Sequence, residues 1–324
     1  MQRRFYSGGI RMNKRTMKKG LAILLALVMV FAMTATAFAA TGSGSYTVST
    51  PAATAGPINV KVVIDSRKDE SGVAVSNVYN VQIGQSGVEA TYTVKDVMLA
   101  LASNVSNQIT LYTSDWDIFS SDSNDKYIYA MDIAGYSYYP TLPQPDNPEA
   151  SIYAGDGWFF RVNGRIPMKP NDSTKGADLT ETYVVDKDIV HFYWNYGYTG
   201  SSAVFASDFM SVNPTYSDGT LQVQLTDSRA YFDSNYNWAI TPFSAYTSTE
   251  SGNYNVTVYN ASGNVVKTGT IPKTGSGEIT NCNLTPGQTY YVKVDTVSYK
   301  SLYDSFGTAW SIVDDTTAYE KFTA

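Results

Sequence analysis

One segment of the chain has the apolar spacing of a helix, and the other patterned segments alternate as strands do. Thr93 precedes "VKDVMLALA", whose apolar residues recur every three or four positions and form one stripe: Val94, Val97, Met98 and Leu101. Thr93 and Asp96 have the spacing of a capping box, which marks the start of a helix. The sequence therefore predicts a mostly β fold in which a single helix packs on a sheet.

Strand patterns surround this helix in residues 58–199. They are "INVKVVID" (58–65), "VYNVQI" (78–83), "KYIYAMDIAG" (126–135), "WFFRV" (158–162), "RIPM" (165–168), "TYVV" (182–185) and "IVHFYW" (189–194). Asn163-Gly164 predicts a tight hairpin turn, since both residues tolerate a positive φ. The order of these segments predicts an α+β domain over 58–199 in which one helix packs across a mixed sheet.

The pattern changes at "GYTGSSA" (197–203), which we interpret as a domain boundary. Residues 203–324 contain only short strand segments separated by Gly, Pro and Asn. This spacing predicts an antiparallel β-sandwich of the immunoglobulin or fibronectin-III kind. Residues 41–57 are small, polar and punctuated by Pro and Gly, and we expect a flexible linker there.

Residues 1–40 have the features of a signal peptide. Seven basic residues precede an uncharged apolar run from Leu21 to Met33, and small residues at Ala37 and Ala39 fit signal-peptidase cleavage. The basic leader is long, so Met1, Met12 and Met17 are all candidate translation starts. The pattern predicts a secreted, extracellular protein, with non-covalent association to the cell surface as an option and no stable membrane anchor after cleavage.

Charge and cysteine content narrow the class of partner. Removal of the leader leaves 16 basic and 29 acidic residues, a net charge of about −13. Such a surface repels phosphate backbones, so we expect no nucleic-acid partner. Cys282 is the single cysteine, which precludes an intrachain disulfide and favours a Gram-positive bacterial source over an animal one.

The segments "GDGWFFRVNGRIP" and "VVDKDIVHFYW" resemble a secreted bacterial domain of unknown function that is related to the transcobalamin C-terminal domain. The matching positions are Trp158, Val162, Asn163, Gly164, Asp188 and Val190. Lys187 stands where that family usually has Gly. The resemblance covers about residues 58–196 and implies a β-grasp-like fold, with cobalamin as a candidate ligand, although the chain has no counterpart of the helical barrel with which transcobalamin encloses cobalamin.

The residues of ordinary catalytic and metal sites are sparse. His191 is the sole histidine and alternates within a strand, so we interpret it as structural, and we interpret Cys282 as a buried thiol. Zinc, copper and iron sites lack their usual ligand sets, and no phosphate loop or nucleophile elbow is present. "DSNYNWAITPFS" (233–244) begins like a calcium loop but places Trp238 where Gly belongs. We therefore predict no catalytic residue, no metal site and no cofactor from the residues themselves.

Aromatic residues are the most distinctive part of the composition, with 26 Tyr, 13 Phe and 5 Trp. Several tyrosines lie in or beside a long proline-containing loop between Gly135 and Gly155, and tyrosine suits stacking on sugars or planar ligands. We expect this loop and the 163–164 hairpin to form a ligand-facing rim. Its candidate ligand-binding residues are Tyr136, Tyr138, Tyr139, Tyr153, Asn163 and Arg165.

Three classes of function follow from these patterns. The preferred hypothesis is a non-catalytic binding or adhesion protein that contacts a glycan, a cell-surface component or a small planar ligand. A corrinoid-binding protein is the first alternative and rests on the resemblance alone. An extracellular hydrolase is the second, because the spatial convergence of two carboxylates cannot be read from sequence spacing.

The leader generates the first prediction. We expect the secreted protein to begin after Ala39 or Ala40, because signal peptidase cleaves after small residues at this spacing. Intact-mass and N-terminal analysis of culture supernatant measures this directly. Recovery of the full leader in the membrane fraction would contradict it.

Overall fold

The computed structural model describes residues 44–66, 76–138, 157–195, 206–232, 237–296, 299–303, 309–313 and 316–324. The leader and the boundary at 197–203 lie outside these ranges. Residues 41–324 form one compact unit. The fold is mostly β, as predicted. Within the described ranges, no helix combines the length and the apolar character needed to cross a bilayer.

The N-terminal part (residues 44–195) contains one α-helix and fourteen strands among its described residues. The first strands and the helix are β1 (Ser45–Thr47), β2 (Thr54–Ala55), β3 (Ile58–Asp65), β4 (Ser76–Ile83), β5 (Glu89–Ala90), β6 (Tyr92–Thr93) and α1 (Val94–Ser103). A 3-10 turn (Val105–Asn107) follows. The later strands are β7 (Ile109–Tyr112), β8 (Ala130–Ile133), β9 (Tyr136–Tyr138), β10 (Gly157–Val162), β11 (Ile166–Lys169), β12 (Asp172–Gly176), β13 (Tyr183–Val184) and β14 (Ile189–Asn195).

The C-terminal part (residues 206–324) contains only strands among its described residues. They are β15 (Ala206–Ser217), β16 (Thr220–Phe232), β17 (Trp238–Ile240), β18 (Ser244–Ala245), β19 (Asn253–Asn260), β20 (Val265–Pro272), β21 (Ser276–Ile279), β22 (Thr289–Asp295), β23 (Tyr299–Tyr303), β24 (Ala309–Val313) and β25 (Ala318–Thr323).

The main sheet of the N-terminal part has the order β10-β14-β3-β4. Its central pair, β14 and β3, is parallel, and the outer pairs are antiparallel. The predicted capping box is present, because the Thr93 side chain accepts from the Asp96 amide and Asp96 accepts from the Thr93 amide. The apolar stripe of α1 shares one buried cluster with β3 and β14. A helix on a mixed sheet is the arrangement that the order of the segments predicted, and the β-grasp assignment stays a prediction.

Two antiparallel sheets make up most of the C-terminal part. In one, β16 pairs with β15, β17, β18 and β21, and in the other the order is β20-β19-β22-β25. Their buried side chains form a single cluster that includes Val212, Val223, Val256 and Val292. Cys282 is buried within this cluster, and its Sγ donates to the Ile279 carbonyl. The assignment to an immunoglobulin or fibronectin-III sandwich stays a prediction.

The stretch predicted as a flexible linker (41–57) contains two paired strands in its described portion. β1 lies parallel to β11, and β2 pairs with β5. Gly44 precedes β1 at a very close approach, since a Cβ there would lie 2.3 Å from Ser228 Oγ. Backbone pairing therefore holds this stretch against the N-terminal part, and the lack of a side chain at Gly44 lets the chain approach Ser228 of the C-terminal part closely.

A buried polar group joins the two parts. His191 Nε2 lies 2.6 Å from Asp65 Oδ2, which also accepts from the Thr317 amide at 2.8 Å. Asp65 is 1 % and His191 2 % exposed. Burial raises the pKa of Asp65, but His191, Ser76 and the Thr317 amide outweigh it, so that this pKa lies below its ordinary value. His191 is therefore buried and hydrogen-bonded, as expected of a structural histidine.

Beside this group, Arg161 packs between the parts. Its guanidinium lies 3.9 Å from the ring centroid of Phe209, and its Nε donates to the Tyr193 hydroxyl. A third buried cluster also spans the parts, with Val63 and Ile189 against Tyr291 and Tyr319. The predicted independence of the two domains stays a prediction, but these contacts couple their stability.

Asp65 generates a prediction about stability and pH. Because its folded-state pKa is lowered, its contribution is complete above the unfolded-state value of about 3.9 and is lost as the pH falls through the folded-state pKa. We expect Asp65→Asn to lower the free energy of unfolding at pH 7 by about 3–5 kcal/mol. The difference from wild type narrows as the pH falls below about 4.

Urea titrations at a series of pH values measure this difference, with Asp122→Asn on the exposed surface as the matched control. The control changes stability by less than about 0.5 kcal/mol. A deficit for Asp65→Asn that stays constant down to pH 2 would show that the ionised carboxylate is not the stabilising species.

Candidate functional site: an aromatic cleft

A cleft of about 860 Å³ lies where the two parts meet. This volume is within the range of about 300–1,000 Å³ that is usual for small-molecule sites. Most of its exposed lining is apolar, and six of the described lining residues are aromatic: Tyr127, Tyr129, Trp158, Phe159, Phe160 and Trp238. We call this feature the aromatic cleft.

Trp158 is a fixed wall of the cleft. Its ring is 8 % exposed and meets the rings of Trp194 and Tyr138 edge to face, with centroids 5.3 Å and 6.1 Å away. Its Nε1 donates to the Tyr138 carbonyl at 3.4 Å. Trp158 shares the core cluster with Phe160, Val162 and Leu101, because side chains two positions apart along β10 lie on the same face of the sheet. Trp158 is therefore mainly structural and exposes little of its surface to the cleft.

Phe159 and Trp238 form the more accessible aromatic pair. Both are half-buried, and their rings meet edge to face with centroids 5.5 Å apart. Phe159 lies on the face of β10 opposite to Trp158 and stacks on Tyr193. Trp238 comes from the C-terminal part, so the cleft is complete only when both parts are in place.

Contacts around β12 set the position of Trp238. The side chain of the preceding residue, Asn237, accepts from Lys175 Nζ at 2.8 Å and from Thr174 Oγ1 at 3.3 Å. Gly176 lies against the indole, because a Cβ there would be 3.1 Å from Trp238 Nε1. A larger residue at 176 would displace the indole or narrow the cleft.

The charges at the cleft are balanced. Lys126 lies 3.4 Å from Asp178, and Lys169 lies 3.2 Å from Glu181. Lys175 donates a hydrogen bond to the side-chain amide of Asn237. The lining carboxylate of Asp125 accepts hydrogen bonds from the backbone amide and the hydroxyl of Ser114. The three lysines therefore do not add up to an anion-binding patch, and the site suits a neutral ligand.

Two ionisable groups at the aromatic cleft, Tyr127 and Lys169, stay protonated at neutral pH and keep their hydrogen-bond donors. Burial, followed by the charge of Asp178, raises the pKa of Tyr127. The hydrogen bond to Glu181 raises the pKa of Lys169 above its ordinary range. Burial raises the pKa of Asp178, but hydrogen bonds from Thr180 and Glu181 and the charge of Lys126 outweigh it, so the net pKa is lowered. A phenol and an ammonium group are thus available as donors to a ligand.

The tyrosines predicted to form the ligand-facing rim have different environments. Tyr136 is 39 % exposed, but Tyr138 is 3 % exposed and packs on Trp158. Tyr138 therefore lies in the core and not on an exposed rim. The reason is a hairpin that sequence analysis missed: Ala134 and Gly135 both have positive φ and turn the chain from β8 into β9. Tyr139 and Tyr153 lie outside the described residues.

The other two predicted site residues lie at the 163–164 hairpin. Asn163 and Gly164 adopt the predicted positive φ values, 49° and 73°. The Asn163 side chain is already engaged, since it donates to Asp188 Oδ1 at 2.7 Å and accepts from the Ile189 amide at 3.0 Å. Arg165 is exposed. Ligand binding by this predicted set stays a prediction, and Asn163 and Arg165 are not among the residues that line the cleft.

Several lining residues were not predicted as site residues. Tyr127 and Tyr129 are two positions apart in "KYIYAMD", a spacing that puts both side chains on one side of an extended chain. That pattern was a usable signal. Phe159 and Trp238 meet only through the packing of the two parts, which no local pattern records.

Neither the comparisons with known proteins nor a search for metal-binding groups assigns a family or a metal site. Among the described residues, no group of three or more Asp, Glu, His or Cys is placed to hold a metal ion. No protein-family model, curated protein or solved structure matches the chain. The resemblance to the transcobalamin C-terminal domain therefore stays a hypothesis that rests on the motifs quoted above.

Trp158 and Tyr127 line the same cleft but differ in burial, which generates a prediction. We expect Trp158→Ala to lower the free energy of unfolding by about 3–5 kcal/mol, because it removes a buried ring from a packed aromatic cluster. Tyr127, with 56 % of its surface exposed, is the control, and Tyr127→Ala changes stability by less than about 0.5 kcal/mol. Thermal and urea unfolding measure both. Equal losses of unfolding free energy in the two variants would show that Trp158 contributes no more to stability than the exposed Tyr127.

Proposed function

We propose that this protein is a secreted, non-catalytic binding protein that holds a neutral carbohydrate in the aromatic cleft. The observation that carries the proposal is the pairing of half-buried Phe159 and Trp238 in a charge-balanced cavity of about 860 Å³. The C–H face of a pyranose ring is apolar and packs on aromatic rings, while its hydroxyls need donors and acceptors at the edge. The cleft offers both kinds of surface.

Hydrogen-bonding groups of both types surround the aromatic floor. Tyr127 and Lys169 supply donors, and Asp125 supplies acceptor oxygens. Hydroxyl groups of a sugar are able to bond to the donor and acceptor positions that these groups have left beside Glu181 and Ser114, whereas a purely apolar ligand would cover those positions without replacing their water. This favours a polyhydroxylated ligand over a lipid-like one.

Binding is favoured over hydrolysis by the carboxylate count at the site. Among the described residues that line the cleft, Asp125 is the one carboxylate. Glycoside hydrolases ordinarily use two carboxyl groups on either side of the scissile bond. Asp125 also accepts two hydrogen bonds from Ser114, which hold it in place in the loop.

The corrinoid alternative draws its support from the resemblance and from the presence of a large cleft. The sole histidine, His191, is 2 % exposed and bonded to Asp65, so it is not placed to ligate cobalt in the cleft. A carbohydrate needs no such ligand. The visible absorbance of the purified protein after incubation with cobalamin and desalting separates the two proposals.

A carbohydrate-binding screen tests the proposal. We expect the purified wild-type protein to be retained by at least one neutral polysaccharide or cell-wall preparation. Trp238→Ala and Phe159→Ala weaken this binding by about twofold to tenfold each, since a stacked aromatic contributes about 0.5–1.5 kcal/mol beyond its buried area. Circular dichroism confirms that each variant is folded.

Two further variants sharpen the screen. Val266→Ala, at a 44 % exposed position on β20 that does not line the cleft, is the control and leaves binding unchanged. Tyr136→Ala distinguishes the cleft from the rim that the sequence predicted. If Tyr136→Ala loses binding and Trp238→Ala binds as wild type does, the binding site lies on the rim and the proposed cleft site is wrong. Retention of a cobalamin spectrum without carbohydrate binding would favour the corrinoid alternative.

A further inference from the structure

Trp116 is presented to solvent by a loop that is closed by its own hydrogen bonds. The ring is 46 % exposed, and the residue has a φ of 65°, a left-handed conformation that is uncommon for a large side chain. Thr113 accepts from the Trp116 amide at 3.0 Å and donates to the Asp117 carbonyl at 2.9 Å. The loop therefore fixes an exposed indole in place before any ligand arrives.

Two tyrosines support the indole from behind. Trp116 meets Tyr129 edge to face at 5.5 Å and Tyr112 at 6.0 Å. The Tyr112 hydroxyl donates to Asp132 at 2.6 Å, which fixes that ring in turn. An aromatic side chain that is both exposed and supported in this way loses little freedom on binding, which makes it a good stacking surface.

The Trp116 ring continues the aromatic cleft. Tyr129 lines the cleft and touches Trp116, and Ser114 of the same loop also lines the cleft. Trp238, Phe159 and Tyr129 line one cleft, and Trp116 extends it beyond Tyr129. A ligand of one sugar ring would occupy only part of this surface.

The surroundings of Trp116 are polar and acidic. A hollow of about 330 Å³ beside the loop is lined by oxygen-bearing side chains, among them Asp115, Asp117, Ser120, Asp122 and Asp125. These groups accept hydrogen bonds from sugar hydroxyls and repel carboxylated or phosphorylated polymers. The polar edge therefore disfavours an anionic polymer.

Resting on the function proposed above, we propose that Trp116 is a second stacking subsite and that the ligand is a neutral β-1,4-linked polysaccharide chain. In such a chain built from glucose or N-acetylglucosamine the ring substituents are equatorial, so successive sugars present flat C–H faces to aromatic rings. One sugar stacks in the cleft against Phe159 and Trp238, and another further along the chain stacks on Trp116.

Calorimetric titration with two oligosaccharide series tests this proposal. The probes are cello-oligosaccharides and chito-oligosaccharides of increasing length, with a polygalacturonate oligosaccharide as the anionic comparison. Wild-type affinity for at least one neutral series rises with chain length, and the anionic probe binds more weakly than a neutral probe of equal length. Trp116→Ala lowers the affinity for the longest neutral chain about threefold to tenfold and leaves the affinity for the shortest bound chain unchanged.

Matched variants keep the outcomes distinct. Ile118→Ala removes a 61 % exposed side chain two positions away and preserves the rise of affinity with chain length. Trp116→Phe keeps an aromatic ring and retains part of that rise. Trp238→Ala lowers the affinity for oligosaccharides of every length. If Trp116→Ala matches wild type at every length while Trp238→Ala loses binding, the second subsite is overturned and the proposed function stands. If neither series binds the folded wild-type protein but another neutral polysaccharide does, the β-1,4-linked assignment is overturned, and if no carbohydrate binds, the proposed function falls with it.

Discussion

The structure depends on a central strand, β14, that is buried on both faces. Every side chain from Ile189 to Trp194 is at most 2 % exposed. The even-numbered members, Val190, Phe192 and Trp194, pack with the helix in the first core, and the odd-numbered members face the C-terminal part. A strand with two apolar faces needs a covering layer on each side. The helix supplies one layer and the C-terminal part supplies the other, so the two parts fold against a shared sheet.

The aromatic cleft is a consequence of this shared sheet. β10 pairs with β14, and alternation along β10 directs Trp158 into the first core and Phe159 toward the C-terminal part. A small cluster of Ile166, Met168 and Ala230 packs the two parts together beside Trp238. The indole is therefore brought to Phe159 by the same packing that covers the second face of the sheet. Polar anchors such as Asn237 with Lys175 then fix its position.

Local patterns in the sequence predicted the local structure well. The strand predicted from "INVKVVID" has the observed bounds of β3, and the Thr93 cap and the Asn163-Gly164 turn are present. Two turns were missed although the residues permitted them: Ala134-Gly135, and Asp218-Gly219, which joins the long strands β15 and β16. The missed turn at 134–135 misplaced Tyr138, and the site itself depends on contacts between residues that are far apart in sequence. Trp238 is the clearest case, because the sequence showed it only as a residue that breaks a calcium-loop pattern.

The central claim is that a neutral oligosaccharide binds along Trp238 and Trp116. The indole N–H resonances of the five tryptophans in a ¹⁵N-labelled sample, assigned by single substitutions, report on this directly. During titration with a neutral β-1,4-linked oligosaccharide, the account predicts that the Trp238 and Trp116 signals move together with one dissociation constant. The signal of Trp194, which is fully buried, stays in place. A bound oligosaccharide that leaves the Trp238 signal unmoved would contradict the account.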